Sequence, residues 1–173
     1  DKNNPVRNFS FTSGFLTSYR SACSIGEIPN NSVGITVLGD IGQLSTNNTK
    51  ISGYFSGMAT KTFPTPKIAS FGTIELNLQE FTTNRVLSYD LNYQINRNPI
   101  YSLGSAYPID VKTNSPIDFT ATFQLDVNYY VFSNLRRYPC NTTLTGLSIK
   151  LKEYKFPYDE IITYNIGNCI LQS

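Results

Sequence analysis

The fold is decided by two stretches of alternating side chains, LSYDLNYQIN at residues 87–96 and IDFTATFQLDVNY at residues 117–129. In both stretches every second residue is apolar and the residues between are polar. Successive side chains of a β-strand point to opposite faces, so each stretch would have one apolar face and one polar face. Both are therefore predicted to be strands with one side on a core and the other in water.

Weaker signals of the same kind occur before and after these two stretches. Strands are also predicted within residues 33–38, 51–59, 68–78, 147–151 and 162–166, and a loop over residues 21–32. One short helix is predicted over residues 130–138, where Val131, Leu135 and Tyr138 have helical spacing and Pro139 would end it. The pattern predicts a mainly β protein, an antiparallel β-sandwich or barrel with long loops and at most one short helix.

The length of 173 residues fits a single β domain over residues 1–173, which can bury roughly 70% of its extended-chain surface. Residues 1–20 are a candidate N-terminal arm. The connection over residues 98–116 is long, whereas an ordinary hairpin loop has about two to five residues. It contains Pro99, Pro108 and Pro116, which favour an ordered conformation. We therefore expect this loop to contact a neighbouring protein.

The composition argues against several classes of function. The net charge is +2, only 15% of residues are charged, and there is no run of like charges that would bind nucleic acid or a membrane surface. No apolar run is long enough to span a membrane. The absence of histidine removes Ser-His and Cys-His catalysis and most metal sites. We predict no catalytic, cofactor-binding or metal site.

The carboxylates raise the question of catalysis, and the cysteines raise the question of a disulfide. Asp90, Asp118 and Asp126 lie on the polar faces of the two main strands, and two paired carboxylates could support glycoside hydrolysis. A solvated sheet face explains them more simply, so the protein is predicted not to be an enzyme. A Cys140–Cys169 disulfide is open, but three cysteines leave one thiol over, and free thiols are the favoured interpretation.

The central loop also carries a resemblance to a known family. The motif Arg97-x-Pro99-Ile100-x-x-Leu103-Gly104, followed by Tyr107-Pro108 and by Ser115-Pro116-Ile117-Asp118, resembles a pattern in tail-tube proteins of tailed bacteriophages. The resemblance extends over residues 87–151 and 161–173. It implies a β protomer that assembles with copies of itself into stacked rings, usually hexameric, around a channel through which DNA passes.

The resemblance also implies a location in the virion, contacts with other virion proteins, and no cofactor. The subunit contact would lie in the central loop, at Arg97, Pro99, Ile100, Tyr101, Leu103, Gly104 and Tyr107. Tyr and Arg are enriched where two proteins meet, which agrees with that expectation. Two alternatives stay open: another virion protein such as a head–tail adaptor or capsid subunit, and a surface β-sandwich that binds a glycan or receptor.

Overall fold

The computed structural model of the protein describes residues 8–11, 13–39, 41–44, 67–154 and 159–172. The first strands are β1 (Asn8–Phe11), β2 (Gly14–Ser24), β3 (Asn30–Val37), β4 (Ile41–Leu44), β5 (Ile74–Leu78), β6 (Phe81–Thr83) and β7 (Val86–Gln94). They are followed by β8 (Arg97–Ile100), β9 (Asp110–Thr113), β10 (Asp118–Leu125), helix α1 (Tyr129–Leu135), β11 (Thr143–Leu144), β12 (Leu147–Lys152), β13 (Glu160–Ile166) and β14 (Cys169–Ile170). The strand predicted at residues 51–59 lies outside the described ranges.

The described strands form open sheets, not a closed barrel. Two sheets have four strands each, in the orders β10-β7-β2-β3 and β13-β12-β5-β6. Three further pairs, β1 with β4, β8 with β9 and β11 with β14, form two-stranded antiparallel ribbons. The described part of the chain is therefore mainly antiparallel β with one short helix and resembles a β-sandwich, as predicted.

The chain divides into two compact units. Unit 1 comprises residues 1–19, 32–65 and 93–118, and unit 2 comprises residues 20–31, 66–92 and 119–173. Within the candidate N-terminal arm, residues 8–11 form β1 and residues 14–20 belong to β2.

Unit 2 contains the main hydrophobic core, which is built by strands of both four-stranded sheets. The alternate apolar side chains of β5 and β12 point into this core. Ile74, Leu76, Ile149 and Leu151 are all at most 4% exposed. The other large members are Leu78, Phe81, Val86, Tyr89, Leu91, Val131, Leu144 and Leu147. Alternation of buried and half-buried residues along β12 follows the predicted period of two.

One buried polar cluster lies among these apolar side chains. The hydroxyl of Ser21 is 2.8 Å from the hydroxyl of Tyr164 and 3.4 Å from that of Tyr89. The two tyrosine rings are tilted against each other with centroids 6.3 Å apart. Because a buried hydroxyl without a partner is costly, this cluster is what allows Ser21 to be fully buried.

Helix α1 is shorter than the predicted segment 130–138 but has the predicted orientation. Its N-cap is Asn128, whose side-chain oxygen accepts a hydrogen bond from the backbone N–H of Val131 at 2.9 Å. Val131 is buried, and Leu135 and Tyr138 pack against the core, as their spacing indicated. The hydroxyl of Tyr138 donates to the backbone oxygen of Leu78.

Four of the sequence-based boundaries are wrong. The strand predicted from residue 68 begins at Ile74, and the strand predicted through residue 96 ends at Gln94. The loop predicted over residues 21–32 is limited to residues 25–29, because β2 continues to Ser24 and β3 begins at Asn30. Ser21 and Cys23 are buried there, although neither side chain is a strong strand signal. The strand predicted over residues 117–129 ends at Leu125, since Asn128 caps a helix that starts at Tyr129.

Candidate subunit-contact surface

The segment predicted to be a long loop is largely a β-hairpin. β8 and β9 pair antiparallel with Arg97 opposite Thr113 and Ile100 opposite Asp110, so the irregular parts of the predicted loop are residues 101–109 and 114–116. We call β8, β9 and the residues between them the hairpin, and residues 101–109 its tip. The hairpin lies entirely in unit 1.

Pro99 does not interrupt the hairpin because of its position in the ladder. The N–H of Asn114 donates to the backbone oxygen of Asn96, one pair below the β8–β9 ladder. Hydrogen-bonded and non-hydrogen-bonded pairs alternate along an antiparallel ladder. Pro99, opposite Val111, therefore falls at a non-hydrogen-bonded position, where a missing N–H costs nothing. The prolines made the segment look like a loop in the sequence, but this one is compatible with a strand.

Arg97 fixes the base of the hairpin. Its Nε donates to the backbone oxygen of Leu16 at 3.1 Å, and its Nη1 donates to Thr113 Oγ1 at 2.9 Å. The guanidinium also lies over the ring of Phe15, 5.7 Å from the centroid. All of these residues belong to unit 1. Arg97 is therefore a structural residue of the hairpin, and its donors are directed at this chain's own groups.

The tip has an ordered turn. Gly104 has a φ of +83°, a conformation that costs a side-chain-bearing residue energy, and the N–H of Ser105 donates to the backbone oxygen of Ser102 at 3.1 Å. The hydroxyl of Ser105 donates to the backbone oxygen of Tyr107 at 2.6 Å. These local hydrogen bonds give the tip a defined shape.

The tip exposes large apolar side chains. Leu103 is fully exposed, Ile109 is 66% exposed, and Tyr101 and Tyr107 are about half exposed. Of the predicted contact residues, Arg97, Pro99 and Ile100 therefore lie in the half-buried ladder, whereas Tyr101, Leu103, Gly104 and Tyr107 lie in the exposed tip. Ile109 was outside the predicted contact set. The feature that could have identified Ile109 as a contact residue is its own apolar side chain, directly before β9.

A second exposed apolar surface surrounds α1 in unit 2. Tyr129 is 86% exposed, and Val127, Tyr130 and Phe132 are each more than half exposed. Tyr129, Phe132 and Arg136 recur at spacings of three and four residues, so they share the helix face opposite Val131. We call Val127, Tyr129, Tyr130, Phe132, Arg136 and Arg137 the α1 patch. The sequence does not predict this patch, because the alternating pattern of residues 117–129 places Tyr129 on the apolar face of a strand.

Two of the three carboxylates considered for catalysis, Asp90 and Asp126, are held by arginines, and the third, Asp118, is exposed. Asp90 accepts from Arg20 at both oxygens, from Nε at 3.0 Å and from Nη2 at 2.6 Å. This bidentate pair lowers the pKa of Asp90, chiefly through the hydrogen bond from Arg20; desolvation opposes the shift, and the charge of Arg20 adds a smaller lowering. Asp126 is paired separately with Arg85. A general acid needs a raised pKa near neutrality, so Asp90 is unsuited to that role.

The Arg20–Asp90 pair borders a shallow polar depression of about 300 Å³ on unit 2. Its other lining residues are Asn92, Thr120 and Thr122. Within the described part of the chain, no group of three or more His, Cys, Asp or Glu side chains could hold a metal ion. No helix in the described ranges is long and apolar enough to cross a membrane.

All three cysteines are free thiols. In the β11–β14 ribbon Cys169 lies opposite Leu144, so the register does not place Cys140 next to it. Cys23 is buried, and burial raises the pKa of its thiol to about 11, with a smaller contribution from the charge of Glu27. The bridge between Cys140 and Cys169 that the sequence left open is thus not formed.

Comparison with known proteins gives no family for this chain. No protein-family model matches it, and no curated protein and no solved structure is significantly similar to it.

Proposed function

We propose that the protein is a non-enzymatic structural subunit that assembles with copies of itself, and that the hairpin tip makes the contact. The observation that carries the proposal is the fully exposed Leu103 at the end of an ordered hairpin. Exposed apolar side chains that cluster on a folded protein are typical of an interaction site, and Tyr101, Tyr107 and Ile109 are exposed in the same tip. A two-stranded hairpin also gains stability from packing against something else. A neighbouring copy would supply both.

The finer proposal is a virion subunit of the tail-tube type. In support, the residues that resemble the tail-tube pattern fall on one strand of the hairpin and its turn: Arg97, Pro99 and Ile100 on β8, then Leu103 and Gly104 in the tip. Such subunits would form stacked, usually hexameric rings in the virion, with DNA as passing cargo. A head–tail adaptor or capsid subunit is the alternative within the same class.

The test compares assembly of matched isoleucine variants. Ile109→Ser removes an apolar side chain from the tip, and Ile68→Ser removes one of similar exposure, 66% against 60%, from unit 2. Light scattering and negative-stain images of concentrated protein should show rings or stacks for the unmodified chain and for Ile68→Ser. Ile109→Ser should shift the distribution to monomer. An unmodified chain that stays monomeric at high concentration would refute the proposal.

The polar depression favours one competing function, a surface β-sandwich that binds a glycan. Bidentate side chains such as Arg20, Asp90 and Asn92 are suited to the paired hydroxyls of a sugar ring. Glycan-array binding that disappears in Asp90→Asn would support this function over assembly.

A further inference from the structure

We propose that the hairpin tip of one copy binds the α1 patch of another copy, in a head-to-tail contact. This inference rests on the proposed function and names the second half of the interface. Tip and patch are different surfaces, so each copy would offer one free tip and one free patch. In such a heterologous contact every copy can bind a further copy in the same way. The result is a closed ring if the rotation between neighbours closes, and an open filament if it does not.

The apolar side chains of the two surfaces match in character. Leu103 is the most exposed large apolar side chain described in unit 1, and Tyr129 is the most exposed in unit 2. The α1 patch presents aromatic rings flanked by arginines, the composition that dominates the energetically important centres of interfaces. The tip presents a leucine and an isoleucine on a rigid turn, which can pack between such rings with little loss of conformational freedom.

Opposite charges can pair beside the tip: residues 101–109 carry no charge, and the neighbouring strand β9 exposes Asp110 and, two residues further on the same face, Lys112. Arg136 and Arg137 are the charged residues of α1 and its C-terminal turn, and both are exposed. Neither forms an ion pair with a carboxylate in the described part of the chain, although Arg20, Arg85, Lys150 and Lys152 do. Where the tip joins β9, Asp110 is exposed and its side chain accepts only the adjacent N–H of Val111 among the described groups.

The α1 patch is also firmly positioned. The Asn128 cap holds the first turn, Val131 anchors the helix in the core, and Arg136 lies 6.0 Å from the ring centroid of Phe132. A patch held in this way loses little entropy on binding. Both sides of the proposed contact are therefore preorganised, one by its turn and the other by its cap and anchor.

Charge reversal tests the pairing directly in the full-length chain. Asp110→Lys should place like charges at every tip–patch contact, and so should Arg136→Glu combined with Arg137→Glu. Each preparation alone should assemble at least about tenfold more weakly than the unmodified chain. Mixed in equal amounts, the two should assemble again to nearly the original extent, because every contact between unlike copies then joins opposite charges. Asp118→Lys, another exposed unit 1 acid, is the matched control and should assemble normally.

Three other outcomes decide against parts of the argument. Normal assembly of Arg136→Glu/Arg137→Glu alone would overturn the α1 patch as the partner and leave the proposed function standing. Weak assembly of both variants without recovery in the mixture would also overturn the pairing, since it would show separate effects of two unrelated sites. A monomeric unmodified chain would refute the proposed function, and the tip–patch contact with it.

Discussion

Replacing Val131 by alanine should weaken the packing of α1 against the core, because Val131 is the only fully buried residue of the helix. It is 0% exposed, whereas Val127, four positions earlier and outside the helix, is 56% exposed. The same Val→Ala substitution at both positions therefore compares a buried with an exposed valine in one part of the fold. We expect a clear loss of stability for Val131→Ala and almost none for Val127→Ala.

The expected loss follows from three contributions. Removing two buried carbon groups costs about 1.6 kcal/mol at about 0.8 kcal/mol each. The space left behind adds about 1 kcal/mol if the core does not collapse into it. The higher helix propensity of alanine offsets about 0.5 kcal/mol. Val131→Ala should therefore lose about 2 kcal/mol of unfolding free energy, and Val127→Ala less than about 0.5 kcal/mol.

Urea unfolding followed by circular dichroism and tyrosine fluorescence measures this difference. The chain has 12 tyrosines and no tryptophan, so tyrosine emission reports on the whole structure. With a slope of about 2 kcal/mol per molar urea, the midpoint of Val131→Ala should fall by about 1 M at an unchanged slope. Measurements at two protein concentrations would exclude a contribution from self-association. Equal midpoints for the two variants would refute the packing of α1 through Val131.

Three further predictions concern groups that the structure holds in different ways. Ser21→Ala should lose about 1 kcal/mol in thermal unfolding because it removes the hydroxyl between Tyr89 and Tyr164. Ser88→Ala should lose less, because the half-buried hydroxyl of Ser88 donates only a long hydrogen bond of 3.3 Å to the side chain of Gln124 near the surface. Carbon-detected NMR should find the pKa of Asp90 below the ordinary value of 3.8, and in Arg20→Gln the pKa should rise back towards that value. Because the folded pKa is lowered, the stabilisation by this pair is present above pH 3.8 and is lost as the pH falls through the folded pKa. Iodoacetamide at pH 8 should modify exposed Cys140 first and buried Cys23, with its thiol pKa near 11, only after denaturant is added; rapid modification of Cys23 in the folded chain would contradict its burial.

The contact loop shows where sequence reasoning stopped. Its long span and the resemblance of its motif were visible in the sequence, and both directed attention to Arg97–Tyr107. The division of labour within it was not visible. Arg97 became a fixed base residue because Leu16 and Phe15, about eighty positions away in the chain, supply its partners. The α1 patch was missed for a related reason, since the period-two pattern through Tyr129 continues past the residue where the strand ends.

What the sequence determined by itself was the β class and the direction of most core side chains. Alternation along residues 74–78, 147–151 and 162–166 depends only on the geometry of one extended strand, so it can be recognised locally. Only the tertiary structure decided that residues 98–116 contain a hairpin, that Ser21 and Cys23 are buried, and that Leu103 and Tyr129 are exposed. Pairing, burial and exposure depend on which distant segment lies alongside, and no local pattern contains that information.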